Sequence, residues 1–202
     1  MSKTISLKNI SHSFLERPIL QDISFKFTDN DRLCIVGENG TGKSTLLKII
    51  VGVLEADDGR IERLGHSRTY YVPQEFNKED FAITVEAFIQ KYASIAHFKK
   101  AFSISTKLGF NIERVLKKDC GSLSGGQQKI LAVSVGMATA PDFLLLDEPE
   151  NHLDIVSRLE LINLLKEYKG GVVFISHDRL VIDSIASKVA EMASGKLFLS
   201  EG

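Results

Sequence analysis

The stretch Gly37-Glu38-Asn39-Gly40-Thr41-Gly42-Lys43-Ser44-Thr45 decides how the rest of the chain is interpreted. It follows the apolar run Leu33–Val36 and precedes the helical pattern Leu46–Val51. A strand, a loop with the spacing Gly-x-x-x-x-Gly-Lys-Ser and a helix, in that order, are typical of a phosphate-binding loop. Glycines let successive backbone N–H groups turn towards one anion, and the positive end of the helix points to the same place. The sequence therefore predicts a nucleoside triphosphate site.

Two side chains of this loop have predicted contacts with the ligand. Lys43 is expected to reach the β- and γ-phosphates, and the Ser44 hydroxyl is expected to bind Mg²⁺. The alternative is a chance glycine-rich turn, which the strand before the loop and the helix after it make less favoured.

The composition fits one domain of an ordinary globular protein. The chain has 202 residues, of which 44% are hydrophobic and 25% charged, with a net charge of −1. Such a balance provides no global basic field for nucleic acid. Apolar runs such as Val172–Ile175 are too short to span a membrane. Cys34 and Cys120 lack metal-type spacing, and the N-terminus lacks a signal peptide's apolar core, so we expect reduced thiols and a cytoplasmic location.

Hydrophobic periodicity predicts strands alternating with helices on both sides of a helical insert. Strand patterns cover residues 4–10, 19–27, 33–36, 60–63, 69–72, 143–146 and 172–175. Helical patterns cover residues 129–138, 155–168 and 178–186, and a terminal hairpin spans 188–199 with its turn at Ser194-Gly195. Between residues 84 and 118 apolar residues recur at helical spacing, which indicates the insert. The pattern is α/β with a parallel core.

Two carboxylates follow the most apolar strand. Asp147 and Glu148 come directly after Leu144–Leu146, at the strand end where open α/β sheets bind ligands. Asp147 is expected to hold Mg²⁺, directly or through water, and Glu148 to orient or deprotonate the attacking water. A solvated acidic turn is the less favoured alternative.

At this point the chain resembles the nucleotide-binding domain of ATP-binding-cassette (ABC) proteins over nearly its whole length. Gly37–Thr45 matches the Walker A loop, Leu123–Gln127 the LSGGQ signature and Leu144–Glu148 the Walker B strand. The remaining matches are Gln74 with the Q-loop glutamine, Asn151–Asp154 with the D-loop, and His177 with the switch histidine. The order of these motifs makes the resemblance highly specific.

The resemblance implies a fold and a set of site residues. The fold is a P-loop cassette over residues 1–202, with a mixed sheet core, an N-terminal antiparallel β subdomain and a helical subdomain at about 80–138. Glu148, His177 and Gln74 are expected to be catalytic, and Ser44, Gln74 and Asp147 to bind Mg²⁺. The residues expected to bind ATP are Phe14, Gly37, Asn39, Gly40, Thr41, Gly42, Lys43, Ser44, Thr45, Ser124, Gly125, Gly126, Gln127 and Asp154.

The resemblance also implies partners. ABC cassettes pair head to tail, so that each ATP lies between the Walker A loop of one cassette and the signature of the other. Because the chain carries one copy of each motif, we expect it to form a homodimer, or a heterodimer with a different cassette.

The residues found in two motifs predict which kind of partner the cassette dimer acts on. Asn151–Asp154 and Ile175–Arg179 are similar to the ABC-F branch, whose members act on ribosomes. ABC-F proteins typically carry two cassettes joined by a long helical linker, and no such linker is present in this sequence. The competing class is the ATPase subunit of a membrane transporter, whose helical insert and Gln74 loop dock a transmembrane chain. A third alternative is a clamp that binds ATP and barely hydrolyses it.

Two positions depart from the family pattern. Phe14 occupies the position of the aromatic residue, usually Tyr, that stacks on adenine. Compared with Tyr, Phe keeps the π-face and lacks only the hydroxyl. The alternative is that Phe14 is a core residue. Glu150 stands where Thr or Ser is commoner. A third carboxylate there is expected to raise a neighbouring pKa by repulsion, and Glu150 is the rival candidate for the general base.

Overall fold

The structure is a computed structural model that describes residues 2–201, with side chains described for residues 2–199. Residues 1 and 202, the first and last of the predicted domain, lie outside the described residues. The strands and α-helices follow one another in this order: β1 (Thr4–Phe14), β2 (Arg17–Thr28), β3 (Arg32–Val36), α1 (Lys43–Val51), β4 (Asp58–Leu64), β5 (Thr69–Val72), α2 (Lys78–Phe81), α3 (Val85–Tyr92), α4 (Phe98–Lys107), α5 (Gly125–Ala138), β6 (Phe143–Asp147), α6 (Ile155–Glu167), β7 (Gly171–Ile175), α7 (Arg179–Ile185), β8 (Lys188–Ala193) and β9 (Lys196–Glu201).

The strands form two sheets. An antiparallel sheet has the order β2-β1-β4, and a larger sheet has the order β5-β6-β7-β3-β8-β9. The larger sheet is parallel except for β9, which pairs antiparallel with β8. Helices α2 to α5 lie between β5 and β6 in the chain. The predicted fold class, α/β with a mixed sheet, an antiparallel β part and helices, is confirmed; the limits of a helical subdomain stay a prediction.

The larger sheet is buried on both faces. Leu144 and Leu146 of β6 belong to a core cluster formed with the helices α3 to α7. Phe143 and Leu145 of the same strand belong to a second cluster, formed with α1 and the antiparallel sheet. Because successive side chains of a strand point to opposite faces, a strand covered on both sides must be apolar at every position. This explains the uninterrupted apolar run of β6.

Parallel pairing gathers the predicted site at one edge of this sheet. β5, β6, β7 and β3 are neighbours and run in the same direction, with Val72 paired to Leu146 and Asp147 paired to Ile175. The segments that leave their carboxyl ends therefore lie side by side. Ligands of open α/β sheets bind at this edge.

The first hairpin is longer than the sequence predicts. β1 continues to Phe14 and β2 begins at Arg17, so the turn consists of Leu15 and Glu16 alone. Both turn residues have positive φ, 47° and 65°. Asn or Gly normally signals such a turn, and neither occurs here, so the pattern gave no indication of it.

Among the helices of residues 2–201, none combines the length and the apolar character that crossing a membrane requires. Cys34 and Cys120 are free and buried. Burial raises the pKa of the Cys34 thiol to about 12 and that of the Cys120 thiol to about 11. Both thiols are therefore protonated at neutral pH.

Candidate nucleotide-binding and hydrolysis site

The loop between β3 and α1 has a backbone that only glycine accommodates at its two ends. Gly37 and Gly42 have φ values of 148° and 99°. A Cβ on Gly37 would lie 2.3 Å from the carbonyl oxygen of Met192, and one on Gly42 would lie 2.7 Å from Cγ2 of Ile19. The loop is thus pressed against β8 and β2, and its open side is left for a ligand. Ser44 and Thr45 follow in the first turn of α1.

The ammonium group of Lys43 is held by the loop's own backbone. Its Nζ donates hydrogen bonds of 2.8 Å to the carbonyl oxygens of Gly37 and Glu38. The residue is 6% exposed. Burial lowers the Lys43 pKa, and the carboxylates of Glu148 and Asp147 act in the opposite direction. The first two residues of the loop therefore hold this cation through their carbonyl oxygens.

Phe14 and the phosphate-binding loop line one groove. The groove has a volume of about 590 Å³, and Phe14, Asn39, Gly40 and Thr41 are among the residues that line it. Phe14 is 65% exposed, which excludes the alternative of a core phenylalanine. An exposed aromatic face beside the loop is what stacking on a nucleobase requires.

Asp147 is a buried carboxylate, and one of its two oxygens accepts a hydrogen bond from a described residue whereas the other does not. Its Oδ2 accepts a hydrogen bond of 3.0 Å from the Tyr71 hydroxyl. Burial, together with the nearby Asp147 charge, raises the Tyr71 pKa, so the phenol stays protonated and donates. The other oxygen, Oδ1, is buried and has no hydrogen-bond partner among the described residues. Buried carboxylate oxygens are normally paired, so this atom is a candidate ligand of a cation.

Glu148 is surrounded by the other predicted catalytic residues. Its Oε2 accepts a hydrogen bond of 2.8 Å from Nε2 of Gln74 and a second one from Nδ2 of Asn151. Its Oε1 lies 3.7 Å from Nε2 of His177. Glu148 has a left-handed backbone, with φ of 47°, which is uncommon for a residue with a side chain. The structure therefore brings together Glu148, Gln74 and His177, which lie far apart in the sequence.

Glu150 is bonded differently from Glu148. It is 4% exposed, and its Oε1 accepts a hydrogen bond from the Ser176 hydroxyl. The Glu150 pKa is raised, mainly because burial disfavours the charge, with smaller contributions from Asp178 and Glu148. The raised pKa thus has burial rather than the expected repulsion as its main cause. This side chain supports the loop before His177.

The signature residues begin a helix that packs against the D-loop. Ser124 caps α5: its Oγ accepts from the backbone N–H of Gln127 at 3.3 Å, and its own N–H donates to Oε1 of Gln127 at 3.1 Å. A Cβ on Gly126 would lie 2.5 Å from the carbonyl oxygen of His152, and one on Gly125 would lie 3.2 Å from its Cγ. The approach at Gly126 requires glycine, whereas the contact at Gly125 is tight but could be relieved by a small shift of the His152 side chain. At the next helix, Asp154 caps α6 by accepting from the N–H of Ser157 at 2.7 Å.

The signature and the phosphate-binding loop line different cavities. Ser124, Gly126, Gln127 and Asp154 border a cavity of about 230 Å³. None of its lining residues belongs to the groove of Phe14 and the loop. The predicted ATP-binding residues thus fall into two groups on one chain.

Sequence reasoning did not identify Tyr71 or Lys129 as site residues, and it matched Asn151 to the D-loop without predicting its bond to Glu148. Lys129 is 4% exposed, and its Nζ donates to the carbonyl oxygens of Pro73, Gln74 and Asp147. Burial lowers the Lys129 pKa to about 8, although the Asp147 carboxylate acts in the opposite direction. The sequence did contain a clue to Lys129, which comes directly before the apolar run of α5. A lysine next to core residues is buried only when it is paired, so a partner could have been sought. Tyr71 lies in a strand whose pattern identified no polar partner.

Comparison with known proteins agrees with the motifs. The family model described as ABC transporter matches residues 20–151. The ATP-binding protein Uup of Buchnera aphidicola subsp. Acyrthosiphon pisum is 34% identical over 200 residues, which cover 96% of this chain and 33% of Uup. The putative ATP-binding protein YdiF of Bacillus subtilis is 36% identical over 198 residues, which cover 96% of this chain and 29% of YdiF. The chain spans about a third of the length of these relatives.

Another relative is matched over most of its length. The zinc import ATP-binding protein ZnuC of Buchnera aphidicola subsp. Baizongia pistaciae is 32% identical over 194 residues, which cover 94% of this chain and 80% of ZnuC. Among solved structures, an ATP-binding subunit of an ABC transporter superposes with a TM-score of 0.84 at 19% identity, over 98% of this chain and 89% of that one. A dimeric post-hydrolysis ATP-binding cassette bound to ADP and Pi gives 0.83 at 21% identity, over 98% of both chains. The resemblance drawn from the motifs is confirmed.

Proposed function

The chain belongs to the ABC transporter family, and we propose that it hydrolyses ATP as one cassette of a head-to-tail dimer. The observation that carries this proposal is the meeting of Glu148, Gln74 and His177 beside the buried Asp147. ABC cassettes are generally ATPases, and a carboxylate held by two amides next to a phosphate-binding loop is suited to act on a water molecule.

ATP is held by the loop and by Phe14. Lys43 exchanges its bonds to the carbonyls of Gly37 and Glu38 for bonds to phosphate oxygens. The N–H groups of residues 39–45 add to this cradle at the positive end of α1. Phe14 stacks on the adenine ring in the groove it shares with the loop.

The residues present fit a bound Mg²⁺. Three side-chain oxygens are hard ligands of the kind this ion prefers: the hydroxyl of Ser44, the amide oxygen of Gln74, and Oδ1 of Asp147, which has no hydrogen-bond partner among the described residues. Mg²⁺ neutralises part of the phosphate charge that builds up in phosphoryl transfer. The buried position of Asp147 suits this role, because a cation compensates a charge that burial otherwise penalises.

Glu148 is the general base of the proposed reaction. The amides of Gln74 and Asn151 both donate to Oε2 and leave Oε1 free to accept the proton of the attacking water. His177 lies on the side of Oε1, where it donates a hydrogen bond to the γ-phosphate. Glu150 is excluded from this role by its burial and its bond to Ser176.

The second cassette completes the site. Because the signature group lines a cavity separate from the loop, Ser124 and Gly126 of one chain bind the ATP held by the Walker A loop of the other. Hydrolysis is then second order in protein at low concentration. Phosphate release per chain should rise with chain concentration and reach a plateau; a rate per chain that is constant over a hundredfold dilution under non-saturating dimerisation would contradict the dimer.

For the further partner we favour an ABC-F-like role at the ribosome. The wording of Asn151–Asp154 and Ile175–Arg179 supports it. A cytoplasmic location follows from this role. In the test, a Glu148→Gln chain is incubated with ATP and ribosomes and then sedimented. Co-sedimentation above the level seen with ADP supports the role, and sedimentation at background contradicts it.

A transmembrane partner is the second candidate, and a groove favours it. Beside the Gln74 loop, aromatic side chains of Tyr70, Tyr71, Phe76, Phe88 and Tyr92 line a groove of about 620 Å³. A helix of a membrane subunit seated there would press on the loop that holds Glu148. The relative ZnuC, named for zinc import, supports the same class. Purification of the tagged chain from detergent-solubilised membranes distinguishes the two candidates, because only this one predicts a co-purifying membrane protein.

A further inference from the structure

Lys129 donates hydrogen bonds to three backbone carbonyls, close to the point where β5 and β6 stop pairing. The β5–β6 ladder ends at the pair Val72 and Leu146. Pro73 follows, and it has no N–H group to continue the ladder. Beyond this pair the ammonium group of Lys129 joins the two segments, with bonds of 2.9 Å to Pro73, 2.8 Å to Gln74 and 3.2 Å to Asp147. All three of its protons are used.

The segments that Lys129 joins are those that place the proposed base. Gln74 is exposed, yet its side-chain amide donates to Glu148. The backbone of this exposed residue is fixed from below by a cation that is 4% exposed. The Asp147 carbonyl lies one residue before Glu148. Lys129 therefore fixes both ends of the contact between Gln74 and Glu148.

The position of Lys129 in the signature helix connects it to the second ATP site of the dimer. Lys129 lies in α5, the helix that begins at the signature cap Ser124. In the proposed dimer, Ser124 contacts the ATP of the partner's site, whereas Gln74 and Glu148 act on the ATP of their own chain. Lys129 thus links the helix that serves one site to the base that serves the other.

We propose that Lys129 is a positioning residue for hydrolysis, which holds the Gln74 loop and Glu148 of its own chain in register with the signature helix. This inference rests on the proposed function. Without the ammonium group, the three carbonyls lose this donor and the loop after β5 loses its link to β6. ATP binding depends mainly on other segments, since Lys43 lies in α1 and the phosphate-binding loop joins β3 to α1.

The test compares Lys129→Met with a matched control. Arg32→Met removes a partly buried cation that, like Lys129, donates to several backbone carbonyls, among them those of Leu165 and Gly170; Arg32 is the first residue of β3, at the end away from the phosphate-binding loop. Lys129→Met should lower kcat on the order of 10- to 100-fold and leave the Kd for ATP within about threefold, because a small displacement of a catalytic group is costly. Arg32→Met should lose thermal stability but keep kcat. Equal kcat losses in both variants, at equal losses of Tm, would overturn the proposal.

Conservative variants keep the test decisive where Lys129→Met does not fold. Lys129→Arg retains the charge and the donors in a larger planar group, and its kcat should lie above that of Lys129→Met. Lys129→Gln retains two donors without the charge, and its kcat should lie between those of wild type and Lys129→Met. A Lys129→Gln chain with wild-type kcat would overturn the proposal.

Mixed dimers, purified through two different tags, distinguish positioning in the same chain from a general effect on the signature helix. With Glu148→Gln in one chain, only the other chain's Glu148 is active. Lys129→Met should slow this dimer when it lies in the chain with the active Glu148, and not when it lies in the chain with Glu148→Gln. The reverse pattern, or equal slowing, contradicts the inference. Two controls keep Lys129 unchanged: the dimer of Glu148→Gln with wild type, and the wild-type homodimer. If neither control hydrolyses ATP, the proposed function itself is contradicted.

Discussion

The side-chain amide of Gln74 donates a hydrogen bond of 2.8 Å to Oε2 of Glu148. The two residues lie 74 positions apart in the chain and meet because β5 and β6 are parallel neighbours. Gln74 belongs to an exposed loop, whereas the Glu148 side chain is 15% exposed. The orientation of the proposed base therefore depends on a loop that a bound partner or nucleotide can move.

Gln74→Ala should slow hydrolysis without a comparable loss of ATP affinity. Glu148 keeps its bond from Asn151 but loses the second amide, and we expect kcat to fall on the order of 10- to 100-fold. Steady-state phosphate release and calorimetric titration with ATP measure the two effects separately. Glu75→Ala, a change at the exposed neighbouring residue, is the control and should keep kcat within about threefold. A Gln74→Ala chain as active as this control would contradict the role of the contact.

Lys43→Ala should weaken ATP binding severely. The substitution removes the cation that the loop holds at 2.8 Å from its own carbonyls. Lys48→Ala, which removes an exposed lysine from the same helix, is the matched control and should bind normally. If calorimetry finds the same affinity for both variants and the wild type, the nucleotide site is assigned wrongly.

A mixture of two inactive variants should regain activity. Lys43→Ala disables the Walker A loop, and Ser124→Arg disables the signature. In a mixed dimer, one composite site carries both defects and the other carries neither. Phosphate release should therefore return on mixing, to at most half of the wild-type rate per dimer at saturation. No recovery, in samples where mixed dimers are shown to form, is incompatible with a composite site.

Glu150→Gln should stabilise the fold near neutral pH. Burial raises the folded-state Glu150 pKa above its ordinary 4.5, so the folded chain binds this proton more tightly than the unfolded chain does. The stability that Glu150 contributes is therefore present at low pH and is lost as the pH rises through the folded-state pKa. The amide avoids this loss and still accepts from Ser176.

Urea unfolding at about pH 7.5 and about pH 5 measures this effect. The stability gain of Glu150→Gln over wild type should be larger at the higher pH. Glu55→Gln, at an exposed position, should show no comparable gain. Destabilisation by Glu150→Gln at the higher pH would mean that the buried charge is compensated by a partner.

The motifs predicted most of the fold and the grouping of Glu148, Gln74 and His177. This succeeded because a glycine-rich loop between a strand and a helix has few conformations, and because carboxyl ends of parallel strands share an edge. The turn at Leu15 and Glu16 could not be predicted, since its residues do not favour positive φ and the pairing of β1 with β2 imposes it.

The hydrogen-bond partners of the buried polar side chains could not be predicted from the sequence either. Glu150, two residues after Glu148, was the rival candidate for the general base. The left-handed backbone of Glu148 redirects the chain after β6, and Glu150 bonds to Ser176. Lys129 was not singled out, because its partners are backbone carbonyls, which every residue carries.

The most direct test of the account is the ATPase rate of Glu148→Gln beside that of Glu150→Thr. Gln keeps the shape of Glu148 and its hydrogen bonding but cannot take a proton from water. Hydrolysis by Glu148→Gln should therefore fall on the order of 10²–10⁴-fold. ATP should remain bound and hold the chain as a dimer on gel filtration. Glu150→Thr should keep most of the wild-type ATPase rate, because Glu150 supports the loop before His177 and takes no proton from the attacking water. Turnover that survives in Glu148→Gln and disappears in Glu150→Thr would contradict the assignment of the base.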